Sequence, residues 1–366
     1  MRIFFGYGDT PSELNCSRYN CFFPAKAINK LEGHHADTLF VNDFTSNTEE
    51  AQKICNEADL ILIERNLFFN TPIRMLEYRL KAKNVAVIFD DAYHVMEKDN
   101  ASYSFWHGNQ ITIKNEKDEF QQVSVIPPIL EQFKLGLKIS KGLICPSPVL
   151  CNDWKHIIPT YPIHNYIDED RYPIDATPLF PHDKKEIYIG WCGSMSHVES
   201  FVNSGVLQAL IYVARKYDHV KIMLTGDKRN YDNLNLPESK KVYSGYVQDE
   251  LWCSLLRSLD IGIAPLNSEY DKRRSWVKVL EYIYLKIPWI ATNFETYHEL
   301  EEYGILTENG MENWKKALCE MVENIDKARE LANGKAYKFG LTQTYDKNVD
   351  KLLETYQKII DAPFSS

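Results

Sequence analysis

Short apolar runs alternate with amphipathic, helix-like stretches along both halves of the chain, and this alternation constrains the fold more than any other feature. In the first half the runs are RIFFGYG, ADTLFVND, ADLILIER, VAVIFD and GLICPS. In the second half they are EIYIGWCGS, VKIMLTG, KVYSGYV, DIGIAPL, PWIATN and GILTEN. Strands that alternate with helices in this way pair in parallel and carry helices on both faces of the sheet. The pattern predicts an α/β protein built from two Rossmann-like domains.

A proline-rich segment from Pro159 to Pro181 separates the two series of strands. We predict an N-terminal domain over residues 1–168, a linker over 169–184, a C-terminal domain over 185–340 and a final helical segment over 341–366. Ligand sites in open parallel sheets lie at the carboxyl ends of the strands. Two such domains facing each other would therefore hold a ligand in the cleft between them.

The charge and composition of the chain argue against several classes of protein. It has 42 Lys and Arg residues against 51 Asp and Glu, a net charge of −9, which disfavours a partner held mainly by phosphate charge but leaves room for a local basic pocket. The sequence has no apolar run of about 18 residues, and its start lacks the layout of a secretory signal. We therefore expect a cytoplasmic protein without a transmembrane segment. The 8 cysteines are irregularly spaced, which argues against a zinc site or a disulfide framework.

The stretch DIGIAPLNSEYDKRRSWVKVLEYIYLKIPWIAT, residues 260–292, has the features of a binding site for an anionic ligand. A helix is predicted to begin near Ser275, a favourable N-cap residue, and helix N-termini bind phosphate groups. Ser275, Lys278 and Glu281 are three residues apart and would share one face, about 9 Å long, that suits a diphosphate at one end and a ribose at the other. Arg274 and Lys278 would neutralise the phosphates. The alternative is a surface helix whose Lys278 and Glu281 form a solvated pair.

The pattern Arg274-Ser275-x-x-Lys278-x-x-Glu281-Tyr282 resembles the donor-binding helix of GT-B glycosyltransferases, in particular the large retaining family 4 type. Further segments resemble motifs of that family in the same order, namely SRYNCFFPAKAI, VIFDD, LICPSPVL, PIHNYID, IGWCGSMSH and DIGIAPL. The resemblance covers nearly the whole chain. It implies the GT-B fold, with an N-terminal acceptor-binding domain, a C-terminal nucleotide-sugar-binding domain and a final helix that packs back on the first domain.

The resemblance also implies a set of donor-binding residues, which are Gly193, Ser194, His197, Ser275, Lys278 and Glu281. Glu281 would accept hydrogen bonds from the donor ribose, while backbone N–H groups at Gly193 would approach the diphosphate. The chain departs from the family pattern at two places. Arg274 stands where many members have a sugar-contacting glutamate, and the basic pair that usually follows the glycine turn is absent, which leaves Ser194 and His197.

Asp90 and Asp91 end the run VAVIFD at the predicted carboxyl edge of the first sheet. Asp91 would orient or deprotonate an acceptor hydroxyl there. The alternative is that these carboxylates satisfy local backbone N–H groups. Gly8, His94 and Trp106 are further candidates for the acceptor side. For the aromatic residues of this segment the alternative is packing against their own domain.

These inferences predict an enzyme that moves a hexosyl or pentosyl group from a nucleoside diphosphate sugar to an acceptor hydroxyl. Lys278 and Arg274 would stabilise the charge that grows on the leaving diphosphate, with Asp91 as the third catalytic residue, so no metal ion or permanently bound cofactor is expected. The resemblance implies retention of configuration, a UDP-sugar donor with GDP as the second choice, and a cell-surface glycan or glycolipid as acceptor. Three alternatives remain open: transfer to a DNA base as in some viral enzymes, nucleotide-sugar epimerisation, and a non-catalytic sugar-nucleotide-binding module.

Overall fold

The computed structural model describes residues 1–12, 14–100, 102–114, 119–193 and 198–364, and the chain divides into two units. Unit 1 comprises Met1–Asn165, Arg273–Ser275 and Tyr345–Ser366. Unit 2 comprises Tyr166–Lys272 and Trp276–Thr344. The predicted linker, residues 169–184, lies within unit 2, and the predicted final segment is divided after Thr344.

The strands and helices alternate along the chain. The strands are β1 (Arg2–Tyr7), β2 (His35–Phe40), β3 (Leu60–Glu64), β4 (Asn84–Ile88), β5 (Gln110–Lys114), β6 (Phe120–Ser124), β7 (Leu143–Cys145), β8 (Thr160–Pro162), β9 (Ile187–Gly193), β10 (Val220–Gly226), β11 (Lys241–Ser244), β12 (Ile261–Ala264), β13 (Trp289–Thr292) and β14 (Ile305–Thr307). The α-helices are α1 (Phe23–Ile28), α2 (Val41–Ser46), α3 (Glu49–Glu57), α4 (Thr71–Leu80), α5 (Tyr103–His107), α6 (Ile129–Ile139), α7 (Pro148–Trp154), α8 (Val198–Asn203), α9 (Val206–Lys216), α10 (Lys228–Asp232), α11 (Trp252–Leu256), α12 (Val277–Tyr284), α13 (Glu295–His298), α14 (Met311–Glu323), α15 (Ile325–Leu331), α16 (Tyr337–Gly340) and α17 (Tyr345–Asp361).

Unit 1 is built around a six-stranded parallel sheet with the strand order β2-β1-β3-β4-β7-β8. Strand β3, LILIE, is buried along its whole length, as expected for a parallel strand that helices cover on both faces. The segment after β4 leaves the sheet, as its loss of alternation predicts, and contains the antiparallel hairpin of β5 and β6.

The last helix, α17, belongs to unit 1 and packs against α1. The Tyr345 hydroxyl donates to the carbonyl of Tyr19 at 2.6 Å. Tyr356 is buried, and its ring lies edge-on to Phe5 with the ring centroids 6.3 Å apart. These contacts fix the end of the chain to the same core as its first strand.

Unit 2 is built around a second six-stranded parallel sheet, in the order β11-β10-β9-β12-β13-β14. The sequence predicts one helix over 197–216, but the described part of this range contains two helices, α8 and α9. Gly205 separates them with a left-handed φ of 84°, and a Cβ at this position would lie 2.6 Å from the backbone nitrogen of Met311. The break therefore follows from close backbone packing that only glycine permits.

The two sheets confirm the predicted α/β fold with two Rossmann-like domains. No helix in the described part of the chain is both long enough and apolar enough to cross a lipid bilayer.

Candidate functional site

The strand order of unit 2 reverses beside β9, because β10 and β11 follow on one side and β12, β13 and β14 on the other. Open α/β sheets bind ligands at this switch point, outside the carboxyl ends of the strands. Gly193 is the last residue of β9 and is paired in register with Gly226 of β10. Of the other predicted donor residues that follow β9, Ser194 and His197 lie outside the described residues.

Helix α12 begins at Val277, two residues later than the sequence predicts, so Ser275 is not its N-cap residue. The chain ahead of the helix forms a tight loop instead. In that loop the buried carboxylate of Asp271 accepts hydrogen bonds from the backbone N–H groups of Asn267 and Ser268, at 3.0 and 3.3 Å. These bonds hold the chain from Asn267 to Asp271 in a turn. Lys278 and Glu281 lie within the helix, while Ser275 precedes it, and a role of Ser275 in donor binding stays a prediction.

Lys278 lies in the first turn of α12, and its ammonium group donates to the carbonyl of Cys192. Cys192 is the residue before Gly193, so this positive charge stands at the carboxyl end of β9. Burial raises the pKa of the Cys192 thiol to about 11, although the nearby Lys278 charge opposes the shift. The thiol is therefore neutral at physiological pH, and Lys278 supplies the charge of this part of the site.

Glu281 is 4% exposed, and its carboxylate accepts hydrogen bonds from two side chains that no sequence motif indicates. The indole N–H of Trp252 donates to Oε1 at 3.0 Å, and the hydroxyl of Tyr172 donates to the same oxygen. A buried carboxylate needs such donors, and they also fix its orientation. The solvated Lys278–Glu281 pair, the alternative left open by the sequence, does not describe this buried carboxylate.

Arg171 contacts both of the side chains that donate hydrogen bonds to Glu281. Its guanidinium group donates to the Tyr172 hydroxyl at 3.2 Å and lies 5.9 Å from the centre of the Trp252 ring. It also forms an ion pair with Asp249 at 2.5 Å. Because Arg171 and Tyr172 lie in the proline-rich segment, their polar and aromatic side chains gave no periodic signal in the sequence. A buried glutamate with neighbouring aromatic donors is recognisable only once the chain is folded.

The strand order of unit 1 reverses beside β1, and a buried carboxylate, Glu64, lies at that point. Glu64 accepts hydrogen bonds from the backbone N–H of Gly8 at 2.7 Å, from the amide of Asn20 at 2.8 Å and from the hydroxyl of Ser17. Burial raises the pKa of Glu64, while the adjacent Arg65 and these donors oppose the rise. The backbone of the predicted acceptor-side residue Gly8 is therefore held by the carboxyl group of Glu64, the last residue of the buried strand β3.

Asp90 and Asp91 lie beyond β4, beside the thiol of Cys16. Burial raises the pKa of Asp90 to about 7, and the charge of Asp91 adds to the rise, while Cys16 and Arg65 oppose it. The Oδ1 atom of Asp90 is buried and has no hydrogen-bond partner among the described residues. One ligand atom from each of Cys16, Asp90 and Asp91 falls within a group 4.8 Å across, which is a possible cation-binding arrangement. Metal independence therefore stays a prediction.

Arg274 and Ser275 belong to unit 1, in the short segment Arg273–Ser275. The guanidinium of Arg274 lies 3.6 Å from Oδ1 of Asp91, and both side chains are largely buried. Arg273 forms an ion pair with Asp153. The sequence predicts Arg274 at the donor and Asp91 at the acceptor, and the structure brings these two predicted catalytic residues together.

His94 and Trp106 both lie in the aromatic part of unit 1. Trp106 is 6% exposed and stacks on Tyr93, with the ring centroids 3.7 Å apart. His94 hydrogen-bonds to Asp153 at 3.0 Å. Burial lowers the pKa of His94, although Asp153 opposes the shift. The packing alternative that the sequence left open describes Trp106 well.

The sequence matches no protein-family model and no curated protein. Solved structures are similar to it over most of its length. HepE of Anabaena, in complex with UDP and glucose, has a TM-score of 0.64 and 14% identity, and the match covers 98% of this chain and 100% of HepE. Sucrose-phosphate synthase of Thermosynechococcus elongatus has a TM-score of 0.62 and 11% identity, with 98% of each chain covered.

TarM is a third similar structure, with a TM-score of 0.60 and 15% identity. The match covers 87% of this chain but only 58% of TarM, so TarM is the longer protein. At these identities the similarity establishes the fold. The two parallel-sheet units of this chain have the GT-B fold that is found in the glycosyltransferases TarM, sucrose-phosphate synthase and HepE.

Proposed function

We propose that the protein is a glycosyltransferase that moves a sugar from a nucleoside diphosphate sugar to an acceptor hydroxyl, with retention and without a metal ion. UDP is the proposed nucleotide, in keeping with the UDP bound to HepE. The acceptor is a cell-surface glycan or a glycolipid. The proposal rests on the fold together with the residues that this chain places at the switch points of its two sheets.

The observation that carries the proposal is the pairing of Lys278 and Glu281 on one face of α12. Lys278 stands in the first turn, where the helix dipole and unpaired N–H groups already favour a diphosphate. Glu281 lies one turn further on, oriented by Trp252 and Tyr172. A carboxylate held in this way accepts hydrogen bonds from the vicinal hydroxyls of a ribose, while the ammonium group neutralises the phosphates.

Cleavage of the bond from the anomeric carbon to the phosphate places negative charge on the departing diphosphate. A fixed cation and helix N–H groups aimed at that charge stabilise the transition state without reorganising. Lys278 is the proposed source of this stabilisation. On the acceptor side we propose that Asp91 orients the attacking hydroxyl and that Arg274, its ion-pair partner, holds the carboxylate in place.

Calorimetric titration with UDP, GDP and 2′-deoxy-UDP tests the donor half of the proposal. We expect UDP to bind, and Glu281→Gln to weaken it by about tenfold or more, because a hydrogen bond to a charged group contributes about 1.5–3 kcal/mol. The variant should also lose the preference for UDP over 2′-deoxy-UDP. The matched control is Glu320→Gln, which alters an exposed glutamate on α14. Absence of nucleotide binding by the wild type would refute the proposal.

Product analysis separates transfer from its alternatives. Incubation with UDP-sugars should give slow hydrolysis without acceptor, and this hydrolysis should disappear in Lys278→Ala. A change of sugar configuration without release of UDP would instead identify an epimerase. Binding without hydrolysis or transfer would identify a non-catalytic module, and salt-sensitive binding and glycosylation of DNA would identify a DNA-base transferase.

A further inference from the structure

Six large apolar side chains are exposed on one part of unit 1. They are Ile126 (88% exposed), Leu80 (79%), Ile73 (59%), Leu135 (53%), Phe69 (49%) and Leu76 (41%). Three of them belong to α4, one to α6, and the other two precede these helices. We call this set the α4–α6 surface. Scattered exposed apolar residues are ordinary, but a group on adjacent helices marks an interaction surface.

Helical spacing shows that the α4 members share one face. Ile73, Leu76 and Leu80 follow the spacing i, i+3, i+7 and lie opposite the buried residues Met75 and Tyr78. The core of unit 1 therefore occupies the other side of α4. This face of the helix is an apolar stripe without cover in the described structure.

Hydrogen bonds bring the other members to the same region. The Gln132 side chain of α6 accepts from the backbone N–H of Phe69 at 2.7 Å and donates to the carbonyl of Pro127, next to Ile126, at 2.8 Å. Leu135 lies three residues after Gln132 and so shares its side of α6. Arg79 of α4 donates to the carbonyl of Ile139 at 3.2 Å, which joins the carboxyl ends of the two helices. The exposed residues therefore form one continuous surface.

Basic residues accompany the apolar ones. The segments 71–81 and 129–139 contain five bases, Arg74, Arg79, Lys81, Lys134 and Lys138, against two acids, Glu77 and Glu131. Lys81 and Lys138 are exposed. The whole chain has a net charge of −9, so this surface is positive on an acidic protein. Exposed apolar side chains together with basic ones suit a partner that is anionic at its surface and apolar inside.

We propose that the α4–α6 surface docks on an anionic lipid bilayer. Apolar side chains would enter the boundary between headgroups and acyl chains, while the lysines would contact the headgroup phosphates. A symmetric contact with a second copy fits less well, because the same basic surface would face itself. Docking of this kind needs no membrane-spanning helix.

Co-sedimentation of the full-length protein with lipid vesicles tests the proposal. The vesicles contain phosphatidylcholine alone or phosphatidylcholine mixed with phosphatidylglycerol. We expect binding to the mixed vesicles only, and weaker binding at high salt because the surface charges are screened. Each lysine near an anionic surface contributes about fivefold to partitioning, so Lys81→Glu with Lys138→Glu should lower it by about 25-fold or more. Ile73→Gln with Leu80→Gln should lower it by about tenfold or more.

Two matched variants act as controls. Lys316→Glu with Lys327→Glu reverses two exposed charges of unit 2, and Leu341→Gln removes one exposed leucine outside the surface. Both should bind vesicles as the wild type does, and thermal unfolding checks that every variant is folded. Absence of binding to mixed vesicles overturns the proposal, as does binding that the two surface variants leave unchanged. A dimer that Leu80→Gln dissociates, without vesicle binding, would assign the surface to self-association instead.

Discussion

The raised pKa of Asp90 makes a quantitative prediction about stability. Burial, with help from the charge of Asp91, raises this pKa from 3.8 to about 7. Between these two values the native protein holds a proton that the unfolded chain has lost. The free energy of unfolding therefore falls as the pH rises from about 4 to about 7 and stays low above that. In other words, the ionised carboxylate destabilises the fold at physiological pH.

The expected size of this effect follows from the shift itself. A pKa change of about 3 units corresponds to about 4 kcal/mol, because each unit is worth 1.36 kcal/mol. Asp90→Asn replaces the carboxyl by a neutral group of similar shape and removes the penalty. We therefore expect the variant to be more stable than the wild type by about 4 kcal/mol at pH 8.

Urea unfolding of both proteins at pH 5 and pH 8, followed by circular dichroism, measures this difference. The stabilisation should be clear at pH 8 and should shrink at pH 5, where the wild-type carboxyl is already protonated. Asp350→Asn alters an exposed aspartate of α17 and should leave the pH dependence unchanged. The reasoning would be refuted if Asp90→Asn were less stable than the wild type at pH 8, or if its free energy of unfolding depended on pH as strongly. Either result would show that burial of the ionised Asp90 carboxylate does not destabilise the fold.

Three further predictions concern the proposed reaction. Trp252→Phe removes the N–H donor to Glu281 and should weaken UDP binding by about tenfold while reducing the preference over 2′-deoxy-UDP, as measured by calorimetry; an unchanged preference would mean that Glu281 does not contact the ribose. Lys278→Met should lower kcat by about 10²–10³ in a transfer assay with little change in melting temperature, and a loss confined to stability would contradict its proposed role. Treatment with EDTA should leave the transfer rate unchanged, whereas stimulation by Mn²⁺ that Asp91→Asn abolishes would show that the Cys16, Asp90 and Asp91 group holds a catalytic metal ion.

Particular elements show how far local pattern determines the structure. The segment ILEQFKLGLKI has helical apolar spacing, which predicts a helix near Ile129–Ile139, and the structure has α6 at those positions. The sequence predicts that α12 begins near Ser275, because serine is a favourable N-cap residue. In the structure the helix begins at Val277, and the buried carboxylate of Asp271 holds a turn in the loop ahead of it. Whether a side chain such as Asp271 is buried is not visible in a window of neighbouring residues.

The predicted donor-binding face of α12 also combines features that the sequence shows with features that only the folded structure shows. The residue types and spacing of Lys278 and Glu281 can be read directly from the sequence, and they indicate a site for a diphosphate and a ribose. The hydrogen-bond partners of Glu281 cannot be read in this way, because Tyr172 precedes Glu281 by 109 residues and Trp252 precedes it by 29. Likewise Glu64 contacts Asn20, which is 44 residues away, and Gly8, which is 56 residues away. Sequence spacing contains no information about such pairs.

The sequence by itself determined that this chain forms two parallel sheets covered by helices, since hydrophobic periodicity is a local property that each segment carries whatever its neighbours are. Only the tertiary structure decided which polar groups meet at the carboxyl ends of the strands. The order of strands in each sheet brings distant segments side by side, and burial there sets both the partners and the pKa of carboxylates such as Glu64 and Asp90.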